Sequence, residues 1–392
     1  MTRPLAERVG RLGTESAFEV LRRARALEAE GRDVIHLEIG QPDAPTPGPV
    51  VEVAVEALRG GAHGYVPTLG LPELRAAVAA DASARRGIEV DPADVVICPG
   101  GKPVMSFVFL ALVEPGDEVL LPDPGFPIYR SMVEFCGATA VGVPLRAANG
   151  FRADPDEVAS LVTERTKLLV LNSPNNPTGG VSTDDDLAAL AALARDHDLW
   201  VLSDEIYSRL QFDAPFRSIV AEEAMAERTV LLDGHSKTYA MTGWRLGHAV
   251  APAVLVPHLE RLLVNTVSCT PPFTQLAGVE ALTGDQSPTE RMLATYRRRR
   301  DLVVDGLSGI DGITCHPPGG AFYAFPDITG TGLDDVTFAD RLLADAGVAT
   351  LAGSGFGPHG AGHLRLSLAA SDADLTEALD RLAAFVAGLS AH

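Results

Sequence analysis

Short, wholly apolar runs alternate with longer segments of helical periodicity through the middle of the chain. We predict strands at residues 94–98, 118–121, 167–171, 199–203 and 229–232. Residues 102–113 and 184–197 carry apolar side chains at helical spacing, and we predict helices there. Apolar strands that alternate with helices are typical of a mostly parallel sheet covered on both faces. The pattern therefore predicts an α/β architecture.

The two ends of the chain follow a different pattern. A long helix is predicted after the central region, at residues 287–307, and short strands follow at 321–325 and 363–368. Near the amino terminus, a helix precedes a predicted strand at 34–39 and a proline-rich segment. This first segment is expected to join the small domain or to wrap around a neighbour. We predict a large domain of residues 48–285 and a smaller α+β domain formed by residues 1–47 and 286–392.

Composition excludes several classes of protein. Hydrophobic residues make up 46% of the 392 residues and charged residues 21%, which is typical of globular proteins and unlike disordered chains. The net charge of −20 disfavours binding to nucleic acid, whose phosphates would be repelled. No apolar run reaches the roughly 18 residues of a membrane span. The first eight residues lack the apolar stretch of a signal peptide, so we expect a cytoplasmic protein with no membrane partner.

Five segments in a definite order carry the candidate chemistry. They are CPGGK at 98–102, NSPNNPTGG at 172–180, SDEIY at 203–207, GHSKTY at 234–239 and MTGWRLG at 241–247. Several follow predicted strands, at the edge of the sheet where open α/β proteins bind ligands. The first also opens a helix, whose free N–H groups can hold a phosphate. Taken singly, each segment is equally typical of a turn, a helix cap or a solvent-exposed lysine.

One further residue, Arg365, lies inside the last predicted strand among apolar neighbours. A buried arginine needs a partner, and a carboxylate in bidentate contact is the natural one. By contrast, His359 and His363 are separated by glycines, which disfavours a helix face that could bind a metal, and we predict no metal site. The glycine-rich stretch 353–357 lacks the following helix of a dinucleotide-binding motif and is expected to be a loop.

Together these motifs resemble the class I aminotransferases that depend on pyridoxal phosphate, in the branch that includes aspartate and aromatic aminotransferases. The similarity covers nearly the whole chain, from EIGQPD at 38–43 and GYVPTLGLPELR at 64–75 to Arg365. It implies the aspartate aminotransferase-like fold, with a large and a small domain. It also implies that an L-amino acid and a 2-oxo acid exchange an amino group, and that two identical subunits share their active sites.

The resemblance assigns roles around the cofactor ring. Lys237 would form the Schiff base with the cofactor and then carry a proton to and from the substrate α-carbon, which a lysine of lowered pKa can do. Asp204 would pair with the pyridine nitrogen and keep it protonated. Asn176 and Tyr207 would hydrogen-bond the ring oxygen, and Phe126 would stack on the ring.

It also assigns the phosphate and the substrate carboxylate. Backbone N–H groups and two side chains would hold the phosphate, and Tyr65 would reach it from the other subunit; the residues on the same chain are Gly100, Gly101, Lys102, Ser236 and Arg245. Arg365 would bind the substrate α-carboxylate, bordered by Gly40 and Asn176. Gly234 stands where many relatives carry a phosphate-binding serine, so Ser236, or Thr270 from the neighbouring subunit, is a candidate replacement. His235 is expected to be packed or solvent-exposed rather than an acid–base group.

Two other functions stay open at this point. The same cofactor and fold also support elimination, replacement, cyclisation or oxidative deamination, which suit a specialised biosynthetic pathway. A regulator's ligand-sensing domain is disfavoured, because only about 35 residues precede the first strand and the lysine and aspartate are retained. The amino acid itself cannot be read from the motifs. Candidates to line its side-chain pocket are Ile39, Lys102, Tyr129 and Tyr323.

Overall fold

The computed structural model describes residues 6–389. Residues 1–5, which begin the segment without a signal-peptide pattern, and residues 390–392, at the end of the predicted small domain, lie outside the described residues. The strands are β1 Ile35–His36, β2 Val95–Cys98, β3 Glu118–Asp123, β4 Thr139–Pro144, β5 Thr166–Asn172, β6 Trp200–Asp204, β7 Thr229–Gly234, β8 Gly247–Val250, β9 Tyr323–Ala324, β10 Val348–Ala349, β11 Leu351–Ala352 and β12 Leu364–Ser367.

Thirteen α-helices lie in the described part of the chain. They are α1 Ser16–Ala29, α2 Gly48–Arg59, α3 Pro72–Arg86, α4 Gly101–Leu112, α5 Pro127–Phe135, α6 Pro155–Leu161, α7 Asp184–Asp196, α8 His235–Thr238, α9 Val256–Thr266, α10 Pro272–Thr283, α11 Ser287–Ser308, α12 Asp335–Ala346 and α13 Asp372–Leu389. Across residues 6–389, none of them combines the length and the apolar character that crossing a bilayer requires.

A seven-stranded sheet forms the centre, in the order β2-β8-β7-β6-β5-β3-β4. Every pairing is parallel except those of β8, which runs antiparallel to both β2 and β7. The strands β2, β3, β6 and β7 are apolar and buried almost throughout because helices cover both faces of the sheet. The predicted α/β architecture with a mostly parallel sheet is confirmed.

The five predicted central strands lie within two residues of their observed bounds, and two further strands of the central sheet, β4 and β8, were not predicted. The segment of β4 is half exposed at the sheet edge and lacks the continuous apolar run of a buried strand. The segment of β8 has only four residues and begins with glycine and histidine. Both lie where pairing with a neighbour, rather than local apolar character, determines that a strand forms.

The parallel strands bring three of the motifs to one edge of the sheet. Asn172 and Asp204 end β5 and β6 and are register partners. Gly234 ends β7, directly before the short helix α8 that carries Lys237. Because the carboxyl ends of parallel strands share an edge, a single cavity can collect side chains from all three segments.

A hydrophobic cluster joins the two ends of the chain. Most of its buried residues come from α11, α12, α13 and the short strands β9 and β12, together with Ile35 and Leu37 near the amino terminus, and Tyr207, Leu210 and Phe212 join it from the central region. Parallel pairing of β1 with β10 fixes the amino-terminal segment against this part of the fold. Within β12, Leu364 and Leu366 pack into the cluster, so the alternation of a strand turns Arg365 the other way, towards the central cavity.

Candidate active site

A cavity of about 470 Å³ opens at the carboxyl edge of the central sheet. This size is in the range of small-molecule sites. Of the thirteen residues predicted to form the site, eleven line the cavity: Gly40, Gly101, Lys102, Phe126, Asn176, Asp204, Tyr207, Ser236, Lys237, Arg245 and Arg365. The structure therefore brings together motifs that are up to 325 residues apart, from Gly40 to Arg365.

Lys237 projects from α8 into the middle of the cavity. Its Nζ donates a hydrogen bond to the carbonyl oxygen of Gly40, 2.5 Å away. Burial lowers the pKa of Lys237 to about 8, and the positive charges of Arg365 and Arg245 lower it further. A much larger fraction of this amine is neutral near pH 7.5 than is usual for lysine, which is the state that a nucleophile or a proton acceptor requires.

Asp204 is a buried carboxylate at the end of β6, only 2% exposed. Its Oδ2 accepts a hydrogen bond of 2.6 Å from the hydroxyl of Tyr129, and its Oδ1 accepts one from the N–H of Ile206. Burial raises the pKa of Asp204 to about 6, although these two donors act in the opposite direction. No arginine, lysine or histidine among residues 6–389 forms an ion pair with it. The site thus fits a ligand that presents a positively charged N–H here.

Arg365 is a buried cation, 4% exposed, that likewise forms no ion pair with any acidic residue of the described chain. Its guanidinium donates to the side-chain oxygen of Asn176 at 3.1 Å and to the carbonyl oxygen of Glu38 at 2.5 Å. It lies over the ring of Tyr323, 4.5 Å from the centroid, and its Nε has no partner within the described chain. Such a group is ready to bind a carboxylate from outside the chain.

Two tyrosines lie on the same side of the cavity as the arginine, and Arg365 lies over the ring of Tyr323. The hydroxyls of Tyr207 and Tyr323 are hydrogen-bonded at 2.9 Å. Burial raises the pKa of Tyr207 well above its ordinary value, so this hydroxyl stays protonated and can donate. The ring of Tyr323 lies so close to Gly40 that a β-carbon on Gly40 would collide with the Tyr323 hydroxyl oxygen. A glycine is therefore required where the backbone passes the site.

One end of the cavity is suited to an anion. The helix α4 begins there, and the N–H groups of its first turn, including those of Gly101 and Lys102, have no acceptor inside the helix. The guanidinium of Arg245 lies against Gly100, where any β-carbon would collide with it. Gly100 has a φ of 98°, and its own N–H donates to the carbonyl oxygen of Cys98. The sequence had suggested that Gly100 offers a third free N–H to the phosphate. Instead, this glycine makes room for the arginine side chain.

The remaining predicted residues differ in their placement. Phe126 and Ser236 line the cavity. Tyr65 lies outside it, in the segment between α2 and α3, and is 92% exposed. Thr270 is completely buried inside its own chain, so the suggestion that it reaches a neighbouring subunit is wrong.

Two histidine expectations concern acid–base and metal chemistry. His235 is packed in the core, 1% exposed, with Nε2 facing the carbonyl oxygen of Gly278, and burial lowers its pKa to about 3. This confirms a packed histidine, and His235 does not line the cavity. In residues 6–389, the structure has no cluster of three or more histidine, cysteine, aspartate or glutamate side chains that could hold a metal ion.

Three cavity residues make contacts that the sequence did not predict. Tyr129 lines the cavity, as expected of a pocket residue, and its hydroxyl also donates to Asp204. Asn172 ties two motifs together, since its side chain accepts from the N–H of Asn176 and donates to the carbonyl oxygen of Asp204. Glu15 reaches the cavity from the residue before α1. Tyr129 was signalled by its position one turn after Phe126, whereas no local pattern marked Glu15.

Comparison with known proteins agrees with this geometry. The aminotransferase class I and II family matches residues 32–382. The chain is 41% identical to the arginine–pyruvate transaminase AruH of Pseudomonas aeruginosa over 95% of both chains, and 37% identical to an aspartate aminotransferase of Musicola paradisiaca over 97% and 96% of the two. The Thermus thermophilus aspartate aminotransferase structure with maleate superimposes with a TM-score of 0.93 at 38% identity, covering 98% of this chain and all of that one. The chain therefore belongs to the class I and II aminotransferases, enzymes that use pyridoxal phosphate to move an amino group between an amino acid and a 2-oxo acid.

Proposed function

We propose that Lys237, Asp204 and Tyr207 are the catalytic residues of this aminotransferase. The observation that carries the proposal is Asp204, a buried carboxylate whose one side-chain donor among residues 6–389 is the neutral hydroxyl of Tyr129, at 2.6 Å. A pyridine nitrogen that carries a proton would supply the missing positive charge and bring the carboxylate pKa down from about 6. Pyridoxal phosphate, when bound, supplies an electron sink for the carbanion formed at the substrate α-carbon.

Lys237 is proposed to move the proton. Its lowered pKa makes the neutral amine accessible near neutral pH, and its Nζ lies beside Gly40 on the substrate side of the cavity. The neutral amine of Lys237 would accept the proton released from the α-carbon of the amino acid and hold it at Nζ. The hydroxyl of Tyr207 and the amide of Asn176 would donate to the ring oxygen, and Phe126 would cover one face of the ring.

The phosphate is proposed to bind at the start of α4. Arg245 supplies a positive charge, and the first-turn N–H groups of Gly101 and Lys102 supply donors, with Gly100 making room for the arginine. Ser236 adds a hydroxyl from the residue before the lysine, which fits the absence of a serine at Gly234. Together they form a site for a dianion, because both charge and oriented N–H dipoles favour it.

Arg365 is proposed to bind the α-carboxylate of both substrates, with Gly40 and Asn176 beside it. Amino acid and 2-oxo acid share this carboxylate, so one guanidinium serves both half-reactions. The relatives are named for arginine with pyruvate and for aspartate, which differ in the side chain and agree in the carboxylate. The competing proposal, elimination or oxidative deamination at the same cofactor, would use the same clamp but would release ammonia.

We further propose a homodimer with shared active sites and the domain division 48–285 against 1–47 with 286–392. The 92% exposure of Tyr65 supports a role outside its own chain. Mixing Lys237→Ala chains with Tyr65→Ala chains tests this, since only a shared site leaves one intact centre in the hybrid dimer. Activity above the sum of the two variants is expected, and activity equal to that sum contradicts sharing. The proposed location is the cytoplasm, which cell fractionation tests.

The function is tested by one half-reaction. Purified holoenzyme is mixed with single amino acids and no oxo acid, and the matching 2-oxo acid and ammonia are measured. One equivalent of 2-oxo acid per cofactor without ammonia is expected, whereas ammonia in excess of cofactor supports the competing chemistry. Lys237→Ala should abolish the reaction, while Lys167→Ala, which removes an exposed lysine on β5, should leave it intact. Full activity in Lys237→Ala would refute the assignment.

A further inference from the structure

Six charged side chains line the cavity, and four have roles in the proposed reaction. Arg365, Arg245, Lys237 and Asp204 account for the substrate carboxylate, the phosphate and the ring. The two that are left over are Glu15 and Lys102. These two form an ion pair with each other, between Nζ of Lys102 and Oε1 of Glu15. The part of the cavity that the proposed reaction does not use therefore contains one positive and one negative charge in direct contact.

The pair lies at the mouth of the cavity. Glu15 immediately precedes α1, and Lys102 lies in the first turn of α4, so the contact links two segments 87 residues apart. The Glu15 side chain is 19% exposed and that of Lys102 is 47% exposed. The ammonium also lies over the ring of Phe126, 5.7 Å from its centroid. The negative charge of Glu15 raises the pKa of Lys237 against the effect of burial, so the carboxylate lies near enough to act on the lysine.

Apolar side chains share the cavity with the pair, and Phe126 lies against the Lys102 ammonium. Phe18, Ile39, Met105 and Phe126 line the same cavity. Phe18 is 64% exposed, an unusual exposure for a phenylalanine, and a substrate side chain beside it would remove apolar surface from water. The mouth of the cavity therefore offers apolar contacts to a neutral substrate side chain. To a charged side chain it offers no unpaired opposite charge among the described residues.

We propose that the Glu15–Lys102 ion pair neutralises the side-chain end of the pocket, so that the enzyme selects amino acids with neutral aliphatic or aromatic side chains over dicarboxylic ones. This inference rests on the proposed function of the site. An anionic side chain would have to displace Glu15 from the lysine and then lie near a like charge. A cationic side chain would meet the same obstacle from Lys102. A neutral side chain leaves the pair intact and gains the apolar contacts.

The substitution Glu15→Gln tests the proposal. Half-reactions of the holoenzyme are measured with phenylalanine, leucine, aspartate, glutamate and arginine, and the ratio of kcat/KM for aspartate to that for phenylalanine is compared. Glu15→Gln frees Lys102, and this ratio should rise about tenfold or more. In Glu15→Gln with Lys102→Met the ratio should fall back towards that of the wild type. Glu19→Gln, an exposed acid on the same helix that does not line the cavity, should not change it.

The possible results separate the two proposals. Wild-type enzyme that prefers aspartate or arginine over phenylalanine and leucine, or an unchanged ratio in Glu15→Gln, overturns the inference while the aminotransferase reaction stands. Failure of every amino acid to release its 2-oxo acid from the holoenzyme would instead overturn the proposed roles of the site. A preference for phenylalanine and leucine that weakens when Glu15 is replaced supports both.

Discussion

Replacing Arg365 by methionine removes the proposed carboxylate clamp while keeping a long side chain between two aromatic rings. The guanidinium lies 4.5 Å from the ring centroid of Tyr323 and 5.1 Å from that of Phe356. A methionine preserves much of this packing, since its thioether makes favourable contacts with aromatic rings. The substitution removes the positive charge and the paired N–H donors of the guanidinium. The substitution therefore isolates recognition of the α-carboxylate.

The size of the effect follows from the surroundings of the arginine. Arg365 is 4% exposed and forms no ion pair within residues 6–389, so the incoming carboxylate is its first full charge partner. Losing a buried, charge-assisted contact of this kind costs about 2–4 kcal/mol. This corresponds to a decrease in kcat/KM of roughly 30- to 900-fold. Arg365→Lys keeps the charge but loses the bidentate geometry, and we expect an intermediate decrease.

The assay compares two substrates that differ only in the carboxylate. An amino acid that reacts well and the amine that lacks its α-carboxylate are each offered to wild type and Arg365→Met. The wild type should favour the amino acid strongly, and the variant should lose most of that preference while the amine reacts equally in both. Cofactor content and unfolding temperature serve as controls for folding. An equal loss of activity towards both substrates would refute the assignment, because it would show that Arg365 acts on something other than the carboxylate.

Three further predictions concern buried charges. With the pKa of Lys237 lowered to about 8, cofactor attachment to the apoprotein should speed up with pH and level off just above 8; a rate that climbs tenfold per unit up to pH 10 would contradict this. Asp204→Asn should retain the fold but slow the single-turnover half-reaction by about 10²–10³, and a wild-type rate would exclude the ring-nitrogen role. Arg86 pairs with Glu205 at 2.7 Å and Asp233 at 2.8 Å while 5% exposed. Arg86→Met leaves both carboxylates unpaired, so urea unfolding should show a loss of about 3–5 kcal/mol, and a loss below about 1 kcal/mol would show that they are solvated.

Parts of the fold can be predicted from the sequence because they depend on the local pattern of apolar and polar residues. The strand that ends at Asp204 is apolar on both faces, so its period and length alone predict a buried parallel strand. The helix α7 is equally clear, since Thr183 and Asp186 form a capping box at its start. By contrast, β4 and β8 depend on the hydrogen-bonding edge of a neighbouring strand, which no local window contains.

By itself, the sequence determined which residues are candidates to carry the chemistry, because Lys237, Asp204 and Arg365 stand in segments of definite order along the chain. Only the tertiary structure decided how these groups behave. Burial without a cation raises the pKa of Asp204, and nearby arginines together with burial lower that of Lys237. The contact of Glu15 with Lys102 likewise joins residues 87 positions apart. Charge, burial and proximity depend on all neighbours in space, and those neighbours come from segments that only the folded chain brings together.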